Sequence, residues 1–312
     1  MTPRTLRLTQ PMMRGEDVLW LQRRLQSGGW PPSVAGLVRA ADGLFGPRTA
    51  AAVAALQRLL GLAVDGVVGP ALWSRLRPDQ PAATPPLSPT ALAALARPHA
   101  RFGGGTRWSL GSAGIRLEAG ETASGAAEAA AMRRVLAAFA APIQAAARRH
   151  ALPVELIAAC ICTESGGDPL AERHEPGFRS YAATPHRVSV GCMQTLLSTA
   201  SALLGRGVTA EELRRPDISI EAGAACMAEA ASRTLLDPPV VACAYNAGAV
   251  RHDPSPGNRW RMLQYPFGTS VHADRFCGFF NAGLGLLRRE PALAGGAPAF
   301  AALIPGASPE PG

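Results

Sequence analysis

Lysine is absent from the 312-residue chain, so all 31 basic residues are arginines. Aromatic residues make up only 5% of the sequence, and no window interleaves them with clustered arginines as a nucleic-acid groove would require. The formal net charge of +8 draws such a chain towards anionic polymers in general. Scattered, solvated arginines account for this charge, and we expect no nucleic-acid partner.

Long hydrophobic runs are also missing. The N-terminal stretch 1–18 lacks the apolar core of about seven to fifteen residues that a secretory signal requires. The stretch 290–312 is rich in Ala, Gly and Pro and too broken for a membrane-spanning helix, so it is predicted to be a flexible tail. We therefore expect synthesis in the cytoplasm without a signal peptide, and no stable membrane insertion.

Motifs for metal or nucleophilic catalysis are absent as well. The six histidines form no H-E-x-x-H pattern, no cysteines have C-x-x-C spacing, and no serine lies in a G-x-S-x-G elbow. The sequence therefore implies neither a metal nor a cofactor. All six cysteines lie in the second half, mostly among apolar neighbours, so buried thiols are the default reading and disulfides stay open as the alternative.

The length and the composition of the chain indicate two helical domains. A chain of 312 residues exceeds one average domain. Hydrophobic residues make up 47% of the sequence, and many lie in Ala-rich stretches with helical spacing. We therefore predict a mainly α fold with two compact cores.

The N-terminal region contains an internal half-repeat. Apolar residues have helical spacing over 17–26 and 48–61. The string DGLFG at 42–46 returns in outline as DGVVG at 65–69. Each copy combines an Asp-Gly turn with an apolar pair and a second glycine before the next helix.

These landmarks closely resemble the peptidoglycan-binding domain family. The resemblance rests on the scaffold pattern G-x-D-V-x-x-L-Q, D-G-x-F-G-x-x-T-x-x-A-V and G-L-x-V-D-G-V-V-G-x-x-L-W between Gly15 and Trp73. It implies a small three-helix domain over 1–77 that binds the bacterial cell wall. The family's contact residues are not sharply defined, so no binding residue is assigned in this domain.

Residues 78–126 are predicted to be a linker followed by a segment without a placed structure. Pro, Ala and Gly dominate the first part, up to Gly105. The part from 106 to 126 has a few apolar residues with no clear period, and we assign it no element.

One glutamate in the second half has unusual surroundings. The segment ALPVELIAACICTESGGDP places Leu152, Leu156 and Cys160 on one stripe of an apolar helix that ends at the Ser-Gly-Gly of 165–167. Glu164 is then in the last turn, where the helix dipole and partial burial both disfavour a carboxylate. We expect its pKa to be raised, as a group that protonates a glycosidic oxygen requires. A solvated glutamate at a helix end is the alternative.

Two further motifs follow in order along the chain. SVGCMQT at 189–195 and ACAYNAG at 242–248 each combine small residues with polar groups that could bind a sugar. Together with the Glu-Ser pair at the helix end, they closely resemble the soluble lytic transglycosylase and goose-type lysozyme superfamily. The resemblance covers about 143–285 and implies an α-rich, lysozyme-like domain, which we bound at 127–289.

The resemblance also implies roles for individual residues. It makes Glu164 the catalytic acid and base. The remaining positions are predicted to bind or surround the glycan, with packing alone as the alternative for Gly191 and Met193, and they are Ser165, Ser189, Gly191, Met193, Gln194, Tyr245 and Asn246. Cys192 replaces the Leu that is usual in the second motif.

The stretch 169–188 departs from the short loop that is common in transglycosylases. It carries Glu175, which would be a second carboxylate near the cleft and would allow hydrolysis by an activated water. With a single acid and base, the 6-hydroxyl of the substrate attacks instead and a 1,6-anhydro product forms. An ion pair of Glu175 with Arg173 or Arg179 is the alternative.

The sequence therefore predicts an endolysin-like enzyme that cleaves the β-1,4 bond between N-acetylmuramic acid and N-acetylglucosamine in peptidoglycan glycan strands. Transglycosylation is preferred, a hydrolysing muramidase using Glu175 is the first alternative, and an inactive wall-binding structural protein is the second. Without a signal peptide, release through a membrane pore would bring the enzyme to the wall in the periplasm, and association with a particle is the other route.

Overall fold

A computed structural model of the protein describes residues 4–27, 30–76, 87–118, 120–121 and 125–304. Helices predominate over the small strands in these ranges, which confirms the predicted mainly α fold class. The α-helices are, in chain order, α1 (Glu16–Ser27), α2 (Pro32–Ala35), α3 (Pro47–Leu59), α4 (Pro70–Leu76), α5 (Pro89–Leu95), α6 (Ala126–Ala138), α7 (Ala140–His150), α8 (Val154–Glu164), α9 (Leu197–Leu203), α10 (Ala210–Leu213), α11 (Pro216–Thr234), α12 (Pro238–Ala247), α13 (Val271–Arg289) and α14 (Phe300–Leu303).

The strands form two small antiparallel sheets. One has the order β1-β2-β3 and the other the order β4-β5-β6. Their bounds are β1 (Trp108–Gly111), β2 (Gly114–Leu117), β3 (Gly120–Glu121), β4 (Glu172–His174), β5 (Val188–Val190) and β6 (Thr195–Leu196). Short 3₁₀ helices lie at Pro185–Arg187 and Pro291–Ala294.

The chain divides into two compact units. The first contains Met1–Ala82, Glu172–Val190 and Thr195–Leu213. The second contains Ala83–Ala171, Gly191–Gln194 and Arg214–Gly312. Each unit has its own hydrophobic core among the described residues.

The core of the first unit is built by α1, α3 and α4, with the shorter α2 beside them. Acidic residues in the first turn of α1 and Pro47 at the start of α3 favour helix formation at these points. Leu21, Leu56 and Phe45 are fully buried, the last of them from the first Asp-Gly turn. Apolar spacing in the sequence thus becomes one packed cluster.

Each copy of the half-repeat has a buried glutamine that is hydrogen-bonded to its Asp-Gly turn. Gln22 donates to Asp42 Oδ1 at 2.8 Å and accepts from the Gly43 N–H at 2.8 Å. Gln57 repeats this arrangement with Asp65 Oδ1 at 2.6 Å and with the N–H of the following glycine at 2.8 Å. Each amide therefore fixes one Asp-Gly turn to a helix, which satisfies a buried polar side chain and shapes the turn.

Two later segments of the chain group with this first unit. Ala202 of α9 is buried in the same core as the N-terminal helices. The sheet β4-β5-β6 also belongs to this unit. Both segments lie within 127–289, the range that the family resemblance predicts for the lysozyme-like domain, and those bounds stay a prediction.

The second unit is centred on α8, whose residues Val154–Thr163 are all buried. Apolar side chains around the whole circumference of a helix require neighbours on every side. α13 packs most extensively against α8. The other sides of α8 contact four further helices, α6, α7, α11 and α12. The glutamate that ends α8 is held by this core.

The described residues of 78–126, predicted as a linker up to Gly105 and then a segment without a placed structure, contain α5 and the strands β1, β2 and β3. Trp108 is fully buried in the second core, and its indole N–H donates to Asp237 at 3.0 Å. Asn281 accepts from the Ile115 N–H at 2.7 Å and donates to the Ile115 carbonyl at 3.1 Å. The segment from 106 to 126, which was given no element, thus holds the hairpin β1-β2, and local composition could not reveal it because the partners of this hairpin lie far away in sequence.

The flexible tail predicted over 290–312 also differs from the structure up to residue 304. Phe300 is fully buried and packs edge-on against Phe280, with 5.4 Å between the ring centroids. The carboxylate of Glu155 accepts from the backbone N–H groups of Phe300 at 3.0 Å and Ala301 at 2.8 Å. One carboxylate thus satisfies two backbone N–H groups in the first turn of α14, within a segment whose Ala-, Pro- and Gly-rich composition suggested a loose tail.

Within the described ranges, no helix is both long and apolar enough to cross a bilayer. The six cysteines are thiols, as the default reading of the sequence predicted, and Cys226 is the one that is only half-buried. Burial raises the pKa of Cys162 to about 12 and that of Cys192 to about 11. These thiols are therefore protonated near neutral pH and unreactive.

Candidate active site

Glu164 is the last residue of α8, and it is the one member of this helix that is not fully buried. Its side chain is 17% exposed. The helix ends there because glycines follow Ser165 at the next two positions, where the backbone turns out of the helical conformation. The sequence prediction of a partly buried carboxyl group at the end of an apolar helix is therefore confirmed.

A turn formed by residues 191–194 is fixed to the end of α8. The Ser165 hydroxyl donates to the Cys192 carbonyl at 2.8 Å. The Gly191 N–H donates to the Ala171 carbonyl at 2.8 Å, and Gly191 has φ +83°, which a side chain would disfavour. Ser165, predicted to bind substrate, thus has its hydroxyl committed to joining the first and second motifs.

Gln194 closes the same turn. Its side-chain amide donates to the carbonyls of Ala171 and Gly191, both at 2.9 Å. These bonds hold Gln194 at φ +46°, a conformation uncommon outside glycine. The predicted sugar contact of Gln194 stays a prediction, and the side-chain oxygen is the atom suited to it because the amide nitrogen serves the turn.

Met193 lies on the inner side of this turn. Its side chain is fully buried, and its N–H donates to the hydroxyl of Ser219 in α11 at 3.1 Å. Gly223, one helical turn further along α11, lies against the Met193 side chain. Of the two readings of Met193 made from the sequence, burial favours packing over direct contact with substrate.

The third motif lies at the end of α12 and supports the second. The Tyr245 hydroxyl donates to the Met193 carbonyl at 2.8 Å. Asn246 Oδ1 accepts from the Tyr265 N–H at 2.5 Å. Glu164, the turn at 191–194 and the Tyr245–Asn246 pair are therefore brought together in the second unit. Tyr245 lies behind the turn, and Asn246 orients the loop that follows α12.

Two of the predicted site residues belong to the first unit. Ser189 lies in β5, where it pairs with Arg173 on one side and Leu196 on the other. Glu175 has its carboxylate 3.3 Å from the Arg173 Nε, which is one of the ion pairs considered from the sequence. Their roles in substrate binding and hydrolysis stay predictions.

His272, at the start of α13, was missed by the sequence motifs. Its Nε2 lies 3.5 Å from Glu164 Oε1, and its side chain is 12% exposed. Burial lowers the pKa of His272 to about 4, with a further contribution from the positive charge of Arg275. The imidazole is therefore neutral near pH 7. Since more than a hundred residues separate the two side chains in sequence, no local pattern could have revealed the pair.

A partly buried carboxyl group at the end of an apolar helix, next to a glycine-containing turn and a Tyr-Asn pair, is suited to acid-catalysed cleavage of a glycan. Comparison with protein families agrees with an enzyme that cleaves glycans. Residues 14–76 match the family described as putative peptidoglycan binding domain, and residues 141–259 match the transglycosylase SLT domain. The chain joins these two domains in the order that the sequence predicts.

Curated relatives match over shorter stretches. The chain is similar to a zinc D-Ala-D-Ala carboxypeptidase of Streptomyces albus G, with 47% identity over 62 residues, which are 20% of this chain and 23% of the relative. It is also similar to an uncharacterised protein in the bpoA1 3' region of Kitasatospora aureofaciens, with 54% identity over 35 residues, which are 11% of this chain and 30% of that protein. The chain thus spans less than a third of either relative.

Proposed function

We propose that this protein is a lytic transglycosylase that degrades peptidoglycan at the bond between N-acetylmuramic acid and N-acetylglucosamine. The observation that carries the proposal is Glu164, the half-buried carboxyl group that ends the apolar helix α8 within the residues that match the transglycosylase SLT domain. The N-terminal domain serves to hold the enzyme on its polymer, which raises the effective concentration of substrate at the catalytic domain.

The chemistry needs one carboxyl group that acts twice. Glu164 first donates its proton to the glycosidic oxygen, and the bond from that oxygen to C1 of the muramic acid residue breaks. The 6-hydroxyl of the same residue then attacks C1, while the Glu164 carboxylate takes the hydroxyl proton. The products are a free 4-hydroxyl on N-acetylglucosamine and a 1,6-anhydro end, and no water is consumed.

A hydrolysing mechanism would require a second carboxylate to activate water. Glu175, the candidate for that role, has its carboxylate 3.3 Å from the Arg173 Nε and forms an ion pair with it. A carboxylate in contact with a guanidinium group must give up that contact before it can accept a proton from water. This ion pair supports transglycosylation over hydrolysis.

The test is mass spectrometry of the soluble products that the purified full chain releases from peptidoglycan sacculi. We expect glycan fragments with 1,6-anhydro-N-acetylmuramic acid ends, which are lighter by one water than the reducing ends that hydrolysis leaves. Reducing ends would contradict the proposed reaction and would show that the protein is a hydrolysing muramidase.

Substitution of the catalytic group supplies the second arm of this test. Glu164→Gln keeps the size of the side chain but cannot donate a proton, and removal of a general acid costs roughly 10²–10⁴ in rate. Glu118→Gln is the matched control, since Glu118 is an exposed carboxylate whose ion pair with Arg107 lies outside the site. If Glu164→Gln clears sacculi as fast as the wild type, Glu164 is not the catalytic group and the proposed mechanism is wrong. If the wild type releases no glycan either, the protein is a wall-binding protein without this activity.

A further inference from the structure

The contact between Glu164 and His272 goes beyond the three sequence motifs. His272 lies outside residues 141–259 that match the transglycosylase SLT domain, and it comes from α13, the helix that packs most extensively against α8. The 3.5 Å between Nε2 and Oε1 exceeds the 2.7–3.2 Å of a formed hydrogen bond. Catalytic hydrogen bonds are often long without substrate and shorten in the complex.

We propose that His272 is a positioning residue for the reaction, in which its imidazole donates the Nε2 proton to Glu164 Oε1 and thereby leaves Glu164 Oε2 to carry the catalytic proton. The inference rests on the proposed function of Glu164. It assigns the two carboxyl oxygens different tasks, so that the acid presents its proton in one direction.

The surroundings of the pair support a neutral donor. Burial favours an uncharged imidazole, and Arg275 on the same helix opposes a second positive charge. From α8, the charge of Glu164 also acts on Cys160, whose buried thiol has a pKa well above its usual value. A histidinium beside Glu164 would favour the carboxylate and remove the proton that the reaction needs, whereas a neutral N–H orients the group at a smaller electrostatic cost.

Three substitutions at position 272 separate hydrogen bonding from packing. His272→Gln can place an amide N–H near the position of Nε2, His272→Asn reaches only as far as Nδ1, and His272→Phe fills the space without a donor. We expect His272→Phe and His272→Asn to lower kcat by about tenfold to a hundredfold with KM within about threefold, since the lost interaction acts on the acid rather than on binding. We expect His272→Gln to stay within about fivefold of the wild type.

The pH profile of kcat/KM supplies a readout that packing alone would not move. Because the Nε2 donor favours the ionised carboxylate, its loss in His272→Phe should move the basic limb of the profile to higher pH, and His272→Gln should leave that limb in place. His150→Gln is the matched control, because His150 is another buried histidine that contacts a glutamate, Glu221, at 2.9 Å, outside the site. Thermal unfolding of each variant checks that the fold is retained.

The outcomes distinguish this inference from the proposed function. If Glu164→Gln is inactive while His272→Phe keeps kcat within threefold, or loses activity with an unmoved basic limb, the role of His272 is wrong and that of Glu164 stands. Equal losses in His272→Gln and His272→Phe would likewise overturn the hydrogen-bonding role. If Glu164→Gln is active, the proposed function fails and this inference fails with it.

Discussion

Gly223 is a single residue on which the geometry of the turn at 191–194 depends. A Cβ atom built at this position in α11 would lie 2.3 Å from Met193 Cε and 2.9 Å from Met193 Cβ. Contacts this close are not tolerated, so either the Met193 side chain or the helix must shift. Because the Met193 carbonyl accepts from Tyr245, a shift would reach the second and third motifs together.

We therefore expect Gly223→Ala to lower the free energy of unfolding by about 1–3 kcal/mol, the usual cost of overpacking a core, and to lower activity as well. The matched control is Gly103→Ala, because a Cβ at Gly103 would meet nothing within 4 Å. Urea unfolding curves and the rate of sacculus clearing measure the two effects. Equal unfolding free energies for the two variants would show that the Met193 side chain repacks without cost.

At the scale of elements, the hairpin β1-β2 and the segment before it are fastened to α12 by a charged pair. His99 Nε2 lies 3.0 Å from Asp237 Oδ2, and His99 Nδ1 lies 2.7 Å from the Arg97 carbonyl. Both ring nitrogens face acceptors, so both donate and the ring carries a positive charge. Burial lowers the pKa of His99, but the hydrogen bond and the charge of Asp237 outweigh this effect and raise the pKa above its usual value.

A raised pKa in the folded state makes this contribution to stability depend on pH. The stabilisation is fully present below the ordinary histidine pKa of 6.5, and it is lost as the pH rises through the higher pKa of the folded protein. We expect the unfolding free energy of the wild type to fall relative to that of His99→Gln over this interval. Urea unfolding at a series of pH values tests this, with the exposed His252 as a control in His252→Gln. Parallel pH profiles for the wild type and His99→Gln would contradict it.

Elements with a strong local signal are the ones that the sequence could predict. The Asp-Gly turns at 42–46 and 65–69 and the apolar helix that ends at Glu164 all carry their pattern within a few residues. The turn at 191–194 and the Tyr-Asn pair could be found because the order of the three motifs along the chain resembles that of the soluble lytic transglycosylase and goose-type lysozyme superfamily. Within each of these motifs, the residues that are close in sequence are also close in space.

Elements whose stability comes from distant partners could not be predicted in this way. Trp108 and Phe300 are fully buried, yet the segments around them have no helical or strand period. Their hydrogen-bond acceptors, Asp237 and Glu155, come from other parts of the chain. His272 escaped detection for the same reason. Long-range packing therefore overrides local composition in the hairpin, in the C-terminal segment and at the active site.

At the scale of the whole molecule, the proposed function assigns wall binding to the first matched domain and cleavage to the second. The peptidoglycan-binding domain over 14–76 lies in the first unit, and Glu164 lies in the second. The landmark residues of the first domain mostly build its core and its turns, as Gln22 and Gln57 do. Binding to the wall should therefore depend on the integrity of this small core and should be independent of the carboxyl group of Glu164.

We expect Glu164→Gln to sediment with sacculi as the wild type does while releasing no soluble glycan, since the substitution removes a proton donor and leaves the first core intact. Adding Phe45→Ala to this variant should abolish most of the sedimentation, because Phe45 is fully buried and its truncation costs about 3–5 kcal/mol, a large share of the stability of a small domain. Phe45→Leu in the same background is the matched control, which keeps an apolar side chain at this position and should retain binding. Sedimentation that persists in the Phe45→Ala variant, with its first unit shown to be unfolded, would place wall binding in the catalytic domain.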